Sequence, residues 1–153
     1  MTPEDCHPKD EIFSWLEDDP PNGSGLELHF NATKLYAWCC EQEKLLPPNG
    51  EHPDFQLIEA EISLDHVQHI VQRKNVDISY CARLTLERLE EPVLSVLMSD
   101  GTTLLIDGNH RLVARAARGF ETYRLYRVFV PRWFDFLVDA KMENIRKHLG
   151  VSA

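Results

Sequence analysis

Several large classes of protein are excluded by what this chain has little of. Its four cysteines, at positions 6, 39, 40 and 81, form no Cys-x-x-Cys pair. That usage speaks against a disulfide scaffold and for a reducing, cytoplasmic setting. No apolar run approaches the roughly 20 residues that a membrane-crossing helix requires, so no membrane partner is expected. The opening residues, Met1 to His7, are acidic and polar rather than basic and apolar, which is unlike a secretory signal. Internal repeats and low-complexity tracts are absent. Basic residues are scarce in the first part of the chain: residues 1–65 carry 3 Lys/Arg against 15 Asp/Glu, whereas the remainder carries 13 against 10. A net charge of −9 makes general binding to duplex nucleic acid unattractive, because such binding depends mainly on neutralising phosphates.

What remains is an ordinary globular composition. With 153 residues and 43% apolar content, the chain is sized for one domain with one real core. Residues Pro8–Glu17 read as a short helix with Phe13, Trp15 and Leu16 apolar, followed by the breaker cluster Asp18 to Gly25. Leu26, Leu28 and Phe30 alternate with polar residues, as in a half-buried strand, and Asn31 is placed to cap a helix after it. A second breaker, Pro47 to Gly50, separates this acidic segment, residues 1–55, from the rest. It is expected to pack on a core of residues 56–130 rather than to fold alone. Within that core the pattern reads as a strand (Leu57–Ser63), a helical stretch (Leu64–Leu89), a strand (Pro92–Met98), a second strand running into a helix, and a last strand (Tyr123–Val130). From Pro131 onward, Trp133, Phe134, Leu137, Val138, Met142, Ile145 and Leu149 recur at helical steps, predicting an amphipathic helix over residues 131–153.

The stretch Thr103 to Gly119 carries the chemistry. Leu104, Leu105 and Ile106 suit a buried strand, and Asp107-Gly108-Asn109 suits a turn. His110 to Arg118 is helical, with Leu112, Val113, Ala116 and Ala117 on one stripe and Arg111, Arg115 and Arg118 on another, and Gly119 stands at the C-cap position. A helix N-terminus presents free N–H groups and the positive end of its dipole. With His110 and Arg111 in the first turn, it is suited to a phosphate. From Arg111 to Arg132 six arginines meet one acid, Glu121, a small basic region in an acidic body that fits a nucleotide or phosphorylated small molecule. Arg118, Arg124 and Arg127 read equally well as a solvated face. Asp107 has two roles open to it, as a helix cap or as a Mg²⁺ ligand beside phosphates.

Asp107-Gly108-Asn109-His110-Arg111, followed by Leu-Val-Ala-Arg-Ala-Ala-Arg-Gly, resembles the signature turn of the ParB/sulfiredoxin superfamily, and the order of elements from about Ile58 to Val130 resembles that superfamily's order. The resemblance implies a small α+β fold, a mixed sheet with flanking helices. It also implies that the turn holds nucleoside-triphosphate phosphates: CTP in partition proteins, ATP in sulfiredoxins and related free-serine kinases. On that basis Gly108, Asn109, His110, Arg111 and Arg115 are the expected phosphate-binding residues, with Asp107 as catalytic carboxylate and Mg²⁺ ligand. In the family fold the first core strand lies beside the motif, which makes Glu59, Glu61 and Asp65 candidates for a base, Glu61 being carried forward as the second catalytic residue. Arg83 and Arg88 are further candidates for phosphate contact. Asp65, His66 and His69 have helical spacing that metal ligands use, although a polar helix face has the same spacing. Sulfiredoxins carry a catalytic cysteine where this chain has Asn109, so sulfinic-acid reduction is not expected. No helix-turn-helix follows the motif, which separates the chain from a complete partition protein. The leading expectation is an ATP- or CTP-binding protein performing Mg²⁺-dependent phosphoryl transfer or hydrolysis. The alternatives are a non-catalytic regulator of the plasmid or phage type, whose acidic half docks on a basic partner, and a metal-dependent nuclease.

Overall fold

The strand Val93–Leu97 is buried at four consecutive positions, so its sheet has two buried faces there, and the chain covers both. The computed structural model describes residues 1–16, 27–73, 76–98 and 101–138. In chain order these hold β1 (Ile12–Leu16), β2 (Glu27–Asn31), α1 (Ala32–Leu45), β3 (Phe55–Glu61), α2 (Leu64–Arg73), α3 (Ile78–Arg83), α4 (Leu86–Glu90), β4 (Val93–Leu97), β5 (Thr103–Asp107), α5 (Asn109–Ala117) and β6 (Thr122–Val128), with 3₁₀ turns at Pro3–Asp5 and Arg132–Phe136. The architecture is α+β. β1 and β2 pair antiparallel in a sheet of their own, and the other four strands run in the order β3-β6-β4-β5. β4 and β6 are parallel, and the remaining neighbours are antiparallel, so the larger sheet is mixed. Among the described residues, no helix is long and apolar enough to cross a membrane.

One face of the sheet packs Leu94, Val96, Ile106, Tyr126 and Val128 against Leu28, Phe30, Leu35 and Cys39 from the N-terminal segment and against Trp133 and Leu137. Residues 1–55 therefore supply part of the main core, covering the face under β4 and β6 together with Trp133 and Leu137. On the other face Val67, Ile70, Cys81, Leu84 and Leu89 pack on Leu112, Val113 and Ala114 of α5, with Leu105 and Tyr123 alongside.

Local chemistry explains three departures from the sequence expectation. Residues 12–16 form a strand instead of belonging to a Pro8–Glu17 helix. β2 offers them a full ladder, Phe13 facing Phe30 with ring centroids 6.4 Å apart, and that pairing outweighs a weak local helical pattern. The stretch from Leu64 divides into three helices because polar side chains start new ones. Asp77 accepts from the Tyr80 N–H at 3.1 Å and Thr85 accepts from the Arg88 N–H at 3.2 Å. At Pro131 the chain makes only the 3₁₀ turn Arg132–Phe136, after which Leu137 bridges to Phe30; the rest of the expected C-terminal helix, from residue 139, lies outside the described residues. Elsewhere the expected elements recur with ends shifted by one or two residues, and Asn31 caps α1 as its position suggested, accepting from the Lys34 N–H.

Arginines tie the short helices to α5 and β6. Arg115 donates to the carbonyls of Thr122 (2.9 and 2.6 Å) and Leu89 (2.9 Å), Arg118 to those of Cys81 and Ala82 (3.2 and 3.1 Å), and Arg124 to that of Glu90 (2.9 Å). These side chains satisfy carbonyls at the C-terminal ends of α3 and α4, where helices leave acceptors unpaired. Arg115 also lies over the Phe120 ring, 4.3 Å from its centroid. Replacing Arg115 with alanine removes three charged hydrogen bonds from a half-buried site, and an unfolding free energy lower by about 2 kcal/mol is expected in urea titration. A loss within measurement error would show that these contacts do not brace the fold.

Candidate functional site

β5 ends at Asp107, and the chain turns into α5 through Gly108 with φ of 99° and ψ of 17°. That left-handed conformation suits glycine, and space demands it as well: an added Cβ would lie 2.6 Å from Val93 Cγ1 and 3.1 Å from Arg111 Nη2. Close packing against β4 and Arg111 is thus what requires glycine at this position. No side chain caps the helix, and its first turn contains no acid. The first helical bond is made by the Leu112 N–H to the Gly108 carbonyl. The amides of Asn109, His110 and Arg111 precede it, at the positive end of the dipole. Asp107 is therefore no cap; its Oδ2 lies 3.9 Å from Arg111 Nη2.

Arg111 is only 8% exposed, which is unusual for a charged side chain. Its Nη2 donates to the Pro92 carbonyl at 3.0 Å, and its guanidinium carbon stands 5.5 Å from the centroid of the Tyr36 ring. The Tyr36 hydroxyl donates to the same Pro92 carbonyl at 2.9 Å. Arg111 Nε is buried and, among the described residues, has no hydrogen-bond partner. A buried guanidinium with one unsatisfied N–H and a distant, partly exposed carboxylate leaves positive charge only partly compensated.

Around this turn lies a pocket of about 640 Å³, within the size range of small-molecule sites. The turn itself contributes Asp107 to Arg111, β1 contributes Ile12, Phe13 and Ser14, and the segment before α4 contributes Asp77 and Tyr80. Arg88 and Glu11 complete its charged lining. His110 is held in place: its Nε2 accepts the Asp77 N–H at 3.1 Å, and its ring meets that of Tyr80 edge-on with centroids 5.1 Å apart. In the neutral ring this leaves the proton on Nδ1.

The expected site residues thus separate into two groups. Asp107, Gly108, Asn109, His110, Arg111 and also Arg88 come together at the pocket. Arg115 does not, since its donors are taken by the carbonyls of Leu89 and Thr122. Glu61 is exposed on β3, which the strand order places at the opposite edge of the sheet from β5, so the expected adjacency of that strand to the motif does not hold. Glu59, on the same strand, accepts from the Thr122 hydroxyl at 2.7 Å. Among the described residues no three His, Cys, Asp or Glu side chains gather as a metal-ligating group, Asp65, His66 and His69 included. The pocket residues Glu11, Ile12, Phe13, Ser14, Val76, Asp77 and Tyr80 were not singled out as site residues in the sequence. The first four were hidden by reading their segment as a helix, whereas Asp77 carried a legible signal as an Asp preceding an apolar-periodic run.

No family model matches the chain, and neither a curated protein nor a solved structure matches it.

Burial raises the Tyr36 phenol to about 12 from an ordinary value of 10.0, although the Arg111 guanidinium pulls the other way. Tyr123 and Tyr126 are also raised, again mainly by burial. The folded state thus holds these protons more tightly than the unfolded chain. Stability from this source is complete below pH 10 and is lost as pH rises from 10 toward 12. Urea midpoints measured across that range should fall, and less steeply in Tyr36→Phe; an identical slope in wild type and variant would remove Tyr36 from the account.

Proposed function

We propose that this protein binds a nucleoside triphosphate, ATP or CTP, with the Asp107–Arg111 turn as its phosphate cradle, and that it carries out Mg²⁺-dependent phosphoryl transfer or hydrolysis. The observation that carries this reading is the uncapped N-terminus of α5, opening beside a buried and incompletely paired Arg111 onto a pocket of about 640 Å³. Backbone N–H groups at the positive end of a helix dipole, together with a guanidinium, favour a phosphate over neutral ligands. The resemblance of the turn to that of the ParB/sulfiredoxin superfamily points the same way.

The carboxylates lining the pocket, Glu11, Asp77 and Asp107, outnumber its guanidinium groups, Arg88 and Arg111. A bare triphosphate would meet net repulsion there, whereas one accompanied by a divalent cation would not, so the residues present fit Mg²⁺. Asp107, the last residue of β5 and the start of the turn, is the residue to hold it. The ion would supply charge neutralisation on the phosphates. The protein's own contribution is to fix the phosphate tail between Arg111 and the helix amides, with Arg88 at the open side.

Calorimetric titration with ATP, CTP, GTP and ADP in Mg²⁺ tests the reading. One nucleotide should bind at a single site. Arg88→Ala, which removes an exposed side chain, should weaken it about tenfold, as expected for one charged hydrogen bond. Asp107→Asn should weaken the Mg²⁺ complex more than the free nucleotide. No binding to any of the four would contradict the proposal and turn attention to a protein partner for the acidic first half.

A further inference from the structure

Ser14 on β1 and His29 on β2 are directly opposite in the two-stranded ladder. Ser14 Oγ lies 2.6 Å from His29 Nδ1, and Ser14 lines the same pocket as Asp107, Gly108, His110 and Arg111. β2 is held on its other side as well, the His29 carbonyl accepting the Val138 N–H at 2.7 Å. Ser14 is exposed, so folding does not oblige its hydroxyl to find a protein partner. A serine hydroxyl at this distance from an imidazole nitrogen, inside a pocket with anion-binding groups, has the arrangement of an activated nucleophile.

We propose that Ser14 is a phosphoryl acceptor and His29 its general base, so that the protein phosphorylates itself on β1. The inference rests on the nucleotide reading above, whose triphosphate is the donor. With the imidazole proton on Nε2, Nδ1 accepts from the Ser14 hydroxyl. Ser14 Oγ attacks the terminal phosphorus. The Oγ–P bond forms while the bond from that phosphorus to the β–γ bridging oxygen breaks, and the nucleoside diphosphate leaves with the electron pair. The hydroxyl proton passes to His29 Nδ1. The product is a phosphoserine in the pocket that also contains Arg111 and the N-terminus of α5, where added negative charge is stabilised.

The test incubates the purified full chain with Mg²⁺ and ATP or CTP, then reads intact mass and a phosphopeptide map, alongside calorimetric titration of the same preparation. A mass gain of one phosphoryl group mapped to Ser14 is expected. It should be absent in Ser14→Ala, recovered in Ser14→Thr, and formed at least about 100-fold more slowly in His29→Asn, the usual scale of general-base assistance. Nucleotide binding without any mass gain, or with the group mapped to another residue, would overturn the acceptor assignment and leave the cradle standing. Absence of nucleotide binding would overturn both.

Discussion

A guanidinium with almost no access to water sits where four parts of the molecule meet. Arg111 rises from the first turn of α5, touches the carbonyl of Pro92 at the start of β4, lies near Tyr36 of α1, and faces Asp107 at the end of β5. Burying such a group is costly unless each of its N–H bonds is met, and here Nε is not. The surrounding geometry follows from that constraint. Gly108 must lack a side chain because Val93 and the Arg111 fork occupy the space. Tyr36 must reach across from the N-terminal segment because its hydroxyl and the arginine share one carbonyl. The acidic first third of the chain is thereby joined to the Asp107–Arg111 turn, and its burial of Leu28, Phe30 and Leu35 against the sheet keeps that junction in place.

Around this centre the other arginines have a structural task. Arg115, Arg118 and Arg124 hold the ends of α3 and α4, helices of six and five residues that lack the length to be stable alone. Those helices in turn set Asp77, Tyr80 and Arg88 around the pocket. Positive charge that looks like a ligand-binding stripe in the sequence is therefore divided between fold and site. Arg111 and Arg88 are left at the cavity, and three carboxylates offset them. On the reading proposed above, a divalent cation would accompany the phosphates and offset that excess of carboxylates.

The elements governed by short-range pattern were legible in the sequence. The strand–turn–helix from Thr103 to Ala117 and the Asn31 cap with the helix after it follow from periodicity and turn chemistry, whereas the mixed α+β class was implied by the resemblance of the turn and of the element order. What was not legible depended on partners distant in sequence. Arg115 and Arg118 repeat at the spacing of an exposed stripe, and nothing local shows that their donors meet carbonyls of residues 81 to 89. Glu61 was placed by an expected strand adjacency, whereas the order β3-β6-β4-β5 puts two strands between its strand and β5. Residues 12–16 were read as part of a short Pro8–Glu17 helix with Phe13, Trp15 and Leu16 apolar; pairing with β2 decided otherwise, and one wall of the pocket was lost with that assignment.

The central claim is that the amides opening α5 receive a phosphate group. Amide resonances in a ¹⁵N-labelled sample, followed during titration with Mg²⁺ and ATP or CTP, address it most directly. The account predicts that the largest shifts fall on Gly108, Asn109, His110 and Arg111, with smaller ones at Asp77 and Arg88 across the pocket. Saturating shifts centred elsewhere, with those amides unmoved, would contradict it.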